Sequence, residues 1–112
     1  MFDRLCLIVG DQRRDETVTG QGEDVLNPAT EEVLGRVPHA RSEDLDDVIQ
    51  AAVEGYAVWR ISAPDQRRRV VHAAAELVRD RIDELARLMT LEQGKPVTEA
   101  RGEWDRVADT LV

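Results

Sequence analysis

Cysteine is almost absent from this chain of 112 residues. Its one thiol, Cys6, excludes an internal disulfide and fits a reducing, cytoplasmic setting. Histidine is limited to His39 and His72, and neither has a second His, Cys or carboxylate at ligand spacing, which argues against a metal site. Aromatic residues are only 4%. Tyr56, Trp59 and Trp104 fall on apolar helical stripes, where they read as core or interface anchors and not as a cofactor box. Basic residues are outnumbered, 15 Lys and Arg against 23 Asp and Glu, for a net charge of −8. Such a chain repels phosphate backbones and anionic membranes, so nucleic acid and membrane surfaces are excluded as expected partners. Long hydrophobic runs are missing as well. Nothing approaches the ~20 residues of a membrane span. Leu5–Val9 is too short for a secretory core segment and follows Asp3. No internal repeat or low-complexity segment is visible.

What is present is a globular composition, 42% hydrophobic and 34% charged, with room for one domain. The pattern is α+β: antiparallel strands over residues 1–40, then about four helices over 41–112. The apolar run Leu5–Val9, closed by Gly10, reads as a strand. Residues 11–24 read as a loop or weak edge strand. Val25-Leu26 and Val33–Pro38 read as a hairpin, because Asn27-Pro28 between them starts turns. Ser42 is expected to cap a helix whose stripe is Leu45, Val48, Ile49, Ala52, Val53 and Tyr56, reaching Trp59. Pro64 opens a second helix, with Val70, Val71, Ala74, Leu77 and Val78 on its stripe. Asp80-Arg81 is either a continuation or a tight joint before Ile82, Leu85, Leu88 and Met89. Gly94-Lys95-Pro96 is a stop, and a last helix carries Val97, Ala100, Trp104, Val107, Ala108 and Leu111. That stripe runs to Leu111-Val112 without a polar cap, which reads either as a natural C-terminal helix or as a truncated one.

Little of this carries chemistry. Cys6 lies inside an apolar run and is expected to be buried and structural. Arg67-Arg68-Arg69 could meet a phosphate or a carboxylate, but a solvated helix face paired with nearby acids is the simpler expectation. Gly20-Gln21-Gly22 and Gly94-Lys95 lack the strand–loop–helix setting of a phosphate cradle. No carboxylate is marked as a general acid or base. The residues thus contain no nucleophile with a base, no metal cluster and no dinucleotide loop.

The ordered motifs add more. Val25-Leu26-Asn27-Pro28-Ala29-Thr30-Glu31-Glu32-Val33-Leu34-Gly35 resembles the N-terminal hairpin of the NAD(P)-dependent aldehyde dehydrogenase superfamily. Ala51-Ala52 with Trp59-Arg60, Pro64 with Arg67, and the stretch 73–81 resemble its next segments. Leu88-Met89-Thr90-Leu91-Glu92-Gln93-Gly94-Lys95-Pro96, followed by Glu99-Ala100-Arg101-Gly102-Glu103, is similar to the succinate-semialdehyde dehydrogenase branch. The resemblance covers residues 25–112 in order.

It implies, for a complete enzyme, oxidation of an aldehyde to a carboxylic acid: a thiolate attacks the carbonyl, hydride passes to NAD or NADP, and a glutamate activates water. The chain would be the N-terminal segment of that fold, within its α/β cofactor-binding domain. The family's nucleophile and base belong to motifs after residue 112, and Cys6 precedes every matching motif. No catalytic or cofactor-binding residue therefore carries over. The resemblance sets Trp104, Val107, Ala108 and Leu111 on a helix that leads to substrate in a complete enzyme, or else packs on the rest of the domain. Two functions follow: an inactive scaffold segment completed by the remainder of the domain, or a free-standing helical module that binds a related full-length subunit.

Overall fold

The computed structural model describes residues 5–15 and 20–112. Its contacts form two compact units. One comprises the described part of Met1–Leu26 together with Glu31–Ile61. The other comprises Asn27–Thr30 and Ser62–Val112.

The first unit opens with strands β1 (Leu7–Val9) and β2 (Gln12–Arg14), paired antiparallel with Leu7 opposite Arg14. Gly10 turns the chain between them at φ +62°, a conformation that a side chain resists. β2 falls in the stretch read as loop or weak edge strand, and residues 16–19 of that stretch lie outside the described residues. The second hairpin joins β3 (Gly22–Leu26) to β4 (Val33–Pro38), with Gly22 opposite Pro38 and a bulge between Val25 and Leu26. Helix α1 (Ser42–Trp59) packs on β1.

Two details of α1 depart from the sequence reading. Arg41, not Ser42, is the residue before the first turn. Its backbone N–H donates to the Asp44 carboxylate at 2.8 Å, so an acid inside the helix supplies the start signal. The apolar stripe is also on the outside. Leu45, Ile49, Val53 and Tyr56 are 55, 62, 59 and 67% exposed, while Asp44 is fully buried. Ala51, half-buried, is the α1 residue lying beside the Gly10 turn.

The second unit holds α2 (Pro64–Asp80), α3 (Ile82–Gln93) and α4 (Val97–Thr110). In α2, Pro64 fills the first helical position, where its missing N–H costs nothing, and the Gln66 side chain accepts from the Ala63 N–H at 3.2 Å. The doubtful joint at Asp80-Arg81 is a break: Arg81 leaves helical geometry at φ −114°, ψ 14°, and Ile82 restarts the helix buried. Gly94 ends α3 at φ +72° and donates to the Thr90 carbonyl at 2.9 Å. A Cβ on Gly94 would come within 3.2 Å of Pro28 Cγ, so the Asn27–Thr30 turn sits directly against this corner. Inside the turn, Asn27 is buried and its side-chain oxygen accepts from the Ala29 N–H at 2.9 Å.

α4 packs on both α2 and α3. The contact surface is made of small side chains: Ala75, Ala86, Ala100 and Ala108 are all buried, with Ile82 beside them. Alanine lets the helix backbones approach closely and leaves little room for anything larger. No described helix is long and apolar enough to cross a membrane.

Candidate functional site

Helix α4 carries the sequence-derived candidates, and the structure divides them. Ala108 is fully buried in the alanine contact with the neighbouring helices. Trp104 is half-buried, and its indole N–H is buried without a hydrogen-bond partner. Val107 and Leu111 lie together on the wall of an open depression completed by Glu103, Arg106 and Thr110.

Two charged groups in that depression were not singled out from sequence as site residues. Glu103 is ion-paired with Lys95, the lysine of the Gly94-Lys95-Pro96 corner. The Lys95 hydrogen bond holds the Glu103 carboxyl below the usual carboxylate range against the opposing effect of burial, and the charges of Lys95 and Arg106 add to it. Arg106 itself is exposed, and its guanidinium makes no ion pair among the described residues. The spacing 103–106–107–110–111 was the available signal, since it puts all five on one helix face.

The strongest electrostatic feature lies in the first unit. Asp44 accepts from Arg14 Nη1 at 2.7 Å and from Arg41 Nε at 3.0 Å, besides the Arg41 backbone N–H. Arg14 also reaches Asp47 at 2.8 Å. The Arg41 side-chain bonds, then the Arg41 backbone bond and the Arg14 bond, hold the Asp44 carboxyl far below the usual carboxylate range. Asp44 and Asp47 in turn raise Arg14, and Asp44 raises Arg41. Every oxygen of Asp44 is engaged, so this cluster ties the β1–β2 hairpin to the start of α1 and offers no group for acid–base work.

The other candidates are separate. Cys6 is half-buried, ahead of β1, where full burial was expected. His39 faces Glu23 across the β3–β4 hairpin at 3.3 Å. Of the arginine run, Arg67 donates to the Ser62 carbonyl at 2.7 Å and Arg68 pairs with Asp65 at 3.3 Å. Arg68, Arg69 and His72 line a small open depression on α2. No group of three or more His, Cys, Asp or Glu able to hold a metal occurs among the described residues.

A dinucleotide needs backbone amides at a helix N-terminus reached through a glycine loop. The positive-φ glycines here are Gly10 in a hairpin turn, Gly20 ahead of β3 and Gly94 at a helix C-terminus. These residues do not fit the group.

The chain matches known proteins. The aldehyde dehydrogenase family matches residues 15–112, and the chain belongs to that family. It is 43% identical over 91 residues to the malonate-semialdehyde dehydrogenase of Bacillus velezensis, covering 81% of this chain and 19% of that protein. Among solved structures it is similar to succinate-semialdehyde dehydrogenase from Burkholderia pseudomallei, with a TM-score of 0.86 and 32% identity over 94% of this chain and 22% of that one. It is likewise similar to NADP-dependent glyceraldehyde-3-phosphate dehydrogenase from Bacillus halodurans complexed with NADP, with a TM-score of 0.87 and 29% identity over 97% of this chain and 22% of that one. The chain thus spans about a fifth of the length of these relatives.

Proposed function

We propose that this chain is the scaffold-forming N-terminal segment of an NAD- or NADP-dependent aldehyde dehydrogenase acting on a semialdehyde, and that it is catalytically inactive alone. The observation that carries the reading is the family match over residues 15–112, with no nucleophile paired with a base among the described residues. Cys6 lies outside the matched residues. Its partner would be the remainder of the dehydrogenase domain or a related subunit, and the one cysteine fits a cytoplasmic location.

Helix α4 is the segment proposed to face substrate access. Val107 and Leu111 supply the apolar wall, with Trp104 and Ala108 holding the helix from behind. A malonate- or succinate-type semialdehyde carries one carboxylate besides its aldehyde at neutral pH, and holding it calls for a cation. Arg106 is the uncommitted cation of the depression, whereas Glu103 is neutralised by Lys95.

The test is an assay of the purified chain with malonate semialdehyde or succinate semialdehyde and NAD+ or NADP+. No turnover is expected from the chain alone. Turnover is expected when the chain replaces the matching part of the Bacillus velezensis relative. In that chimaera Arg106→Gln should raise KM for the semialdehyde about tenfold and leave KM for propanal nearly unchanged. Turnover by the chain alone that persists in Cys6→Ala overturns the scaffold reading. An inactive chimaera, with the chain instead binding intact relative, would favour the free-standing interaction module.

A further inference from the structure

Arg106 has four neighbours on the surface of α4, at i−4, i−3, i+3 and i+4: Gly102, Glu103, Asp109 and Thr110. An exposed arginine with an acid three residues away on either side ordinarily pairs with one of them. In this chain each acid is held elsewhere. Glu103 is ion-paired with Lys95, the single lysine of the sequence, which stands just before the helix begins. Asp109 accepts from Arg79 Nη2 on α2 at 3.1 Å, and Arg79 also holds Glu76 at 2.9 Å. The other two neighbours make no claim on the guanidinium. Gly102 has no side chain, and a Cβ there would lie 3.8 Å from Arg106 Nη1, so the guanidinium lies back over the glycine. The Thr110 hydroxyl donates to the Arg106 backbone carbonyl at 2.7 Å.

A guanidinium relieved of both flanking acids, beside the apolar wall of Val107 and Leu111, suits a short ligand with a carboxylate at one end. We propose that Lys95 and Arg79 are positioning residues: they draw Glu103 and Asp109 away from Arg106 and leave its guanidinium to the carboxylate of the semialdehyde. This rests on the carboxylate role given to Arg106 above and adds two residues that touch no substrate themselves. Without Lys95, Glu103 turns to Arg106 on the same helix face and competes with substrate for it. An exposed pair of this kind is weak, so the competition costs a few-fold in affinity and no more.

The kinetic test uses the chimaera in which this chain replaces the matching part of the Bacillus velezensis relative. Lys95→Met should raise KM for malonate semialdehyde about three- to fivefold, with KM for propanal nearly unmoved. Adding Glu103→Gln to Lys95→Met should bring KM back to within about twofold of its starting value, and Lys95→Arg should hold it there as well. A lysine that only braced the corner would impair both aldehydes alike and gain nothing from Glu103→Gln. Arg79→Met is an independent variant with the same expected split. The chain alone gives a readout that needs no turnover. Exchange of the Arg106 Nε proton with water, followed by NMR and assigned with Arg106→Lys, should be faster than that of the paired Arg79 and should slow in Lys95→Met. An Arg106 proton that exchanges as fast in Lys95→Met as before overturns the proposal. So does an unmoved KM in Lys95→Met when Arg106→Gln raises it. Where Arg106→Gln itself moves nothing, or the chimaera is inactive, it is the carboxylate role of Arg106 that fails, and the proposal falls with it.

Discussion

Asp44 shows how one side chain can carry a hairpin. It is fully buried, and it is affordable there only because Arg41 and Arg14 surround the carboxylate with hydrogen bonds. Removing the charge takes from Arg14 and Arg41 their buried carboxylate, so Asp44→Asn should destabilise the chain clearly more than Asp65→Asn, which loosens an exposed pair. The pH dependence has a definite sign. A carboxyl held below its ordinary value stabilises the fold fully above the unfolded value of about 4, and that contribution drains away as pH falls from there through the lowered folded value. Urea midpoints measured between neutral pH and about pH 2.5 should therefore fall more steeply below pH 4 for the natural chain than for Asp44→Asn; parallel curves would remove Asp44 as the titrating group. Gly94 is the other residue with a decided role. Its left-handed backbone and the nearby Pro28 both resist a side chain, so Gly94→Ala should cost about 1–2 kcal/mol in urea denaturation.

At the scale of elements, the alanine contact among α2, α3 and α4 is the most sensitive to volume. Ala100 is fully buried, and Ala100→Leu should destabilise by about 1–3 kcal/mol, whereas Leu77→Ala on the exposed face of α2 should stay within about 0.5 kcal/mol. Calorimetric melting of both variants checks the contrast. Most of these elements could be read from sequence. Asn27-Pro28 marked the β3–β4 hairpin, Gly94-Lys95-Pro96 marked the α3 end, and the period of apolar residues located every helix. What was left open or missed has physical causes. β2 is Gln12-Arg13-Arg14, with no apolar alternation, and it is a strand because it pairs with β1. The break at Arg81 carries no glycine or proline. The start of α1 depends on Arg14 meeting Asp44 across thirty positions of sequence, a contact that local pattern does not encode. For α1 the stripe was legible but its direction was not, because periodicity reports which side chains suit burial and says nothing of what buries them. The candidate site divided likewise: the α4 stripe was visible, but the inward turn of Ala108 and the pairing of Glu103 with Lys95 emerged only from packing.

For the whole chain, charge and exposed apolar surface act against each other. At neutral pH the net charge of −8 keeps copies apart, and the acids of α1 sit beside the stripe that would otherwise associate. As pH falls toward the isoelectric point near 4.7 that repulsion fades, while the apolar area is unaltered. The chain alone should then pass from monomer toward dimers or larger species between about pH 7.5 and about pH 5, followed by light scattering at constant salt. Generic isoelectric association predicts the same trend, so the discriminating sample is Ile49→Asp with Val53→Asp. Two added carboxylates also shift the isoelectric point, and the comparison is therefore made at equal net charge, against a control with the same two charges placed at Gln50 and Ser42. If the stripe drives association, the stripe variant stays monomeric where the control associates. Equal association by both would mean that loss of charge suffices and that the α1 surface has no special affinity for apolar partners.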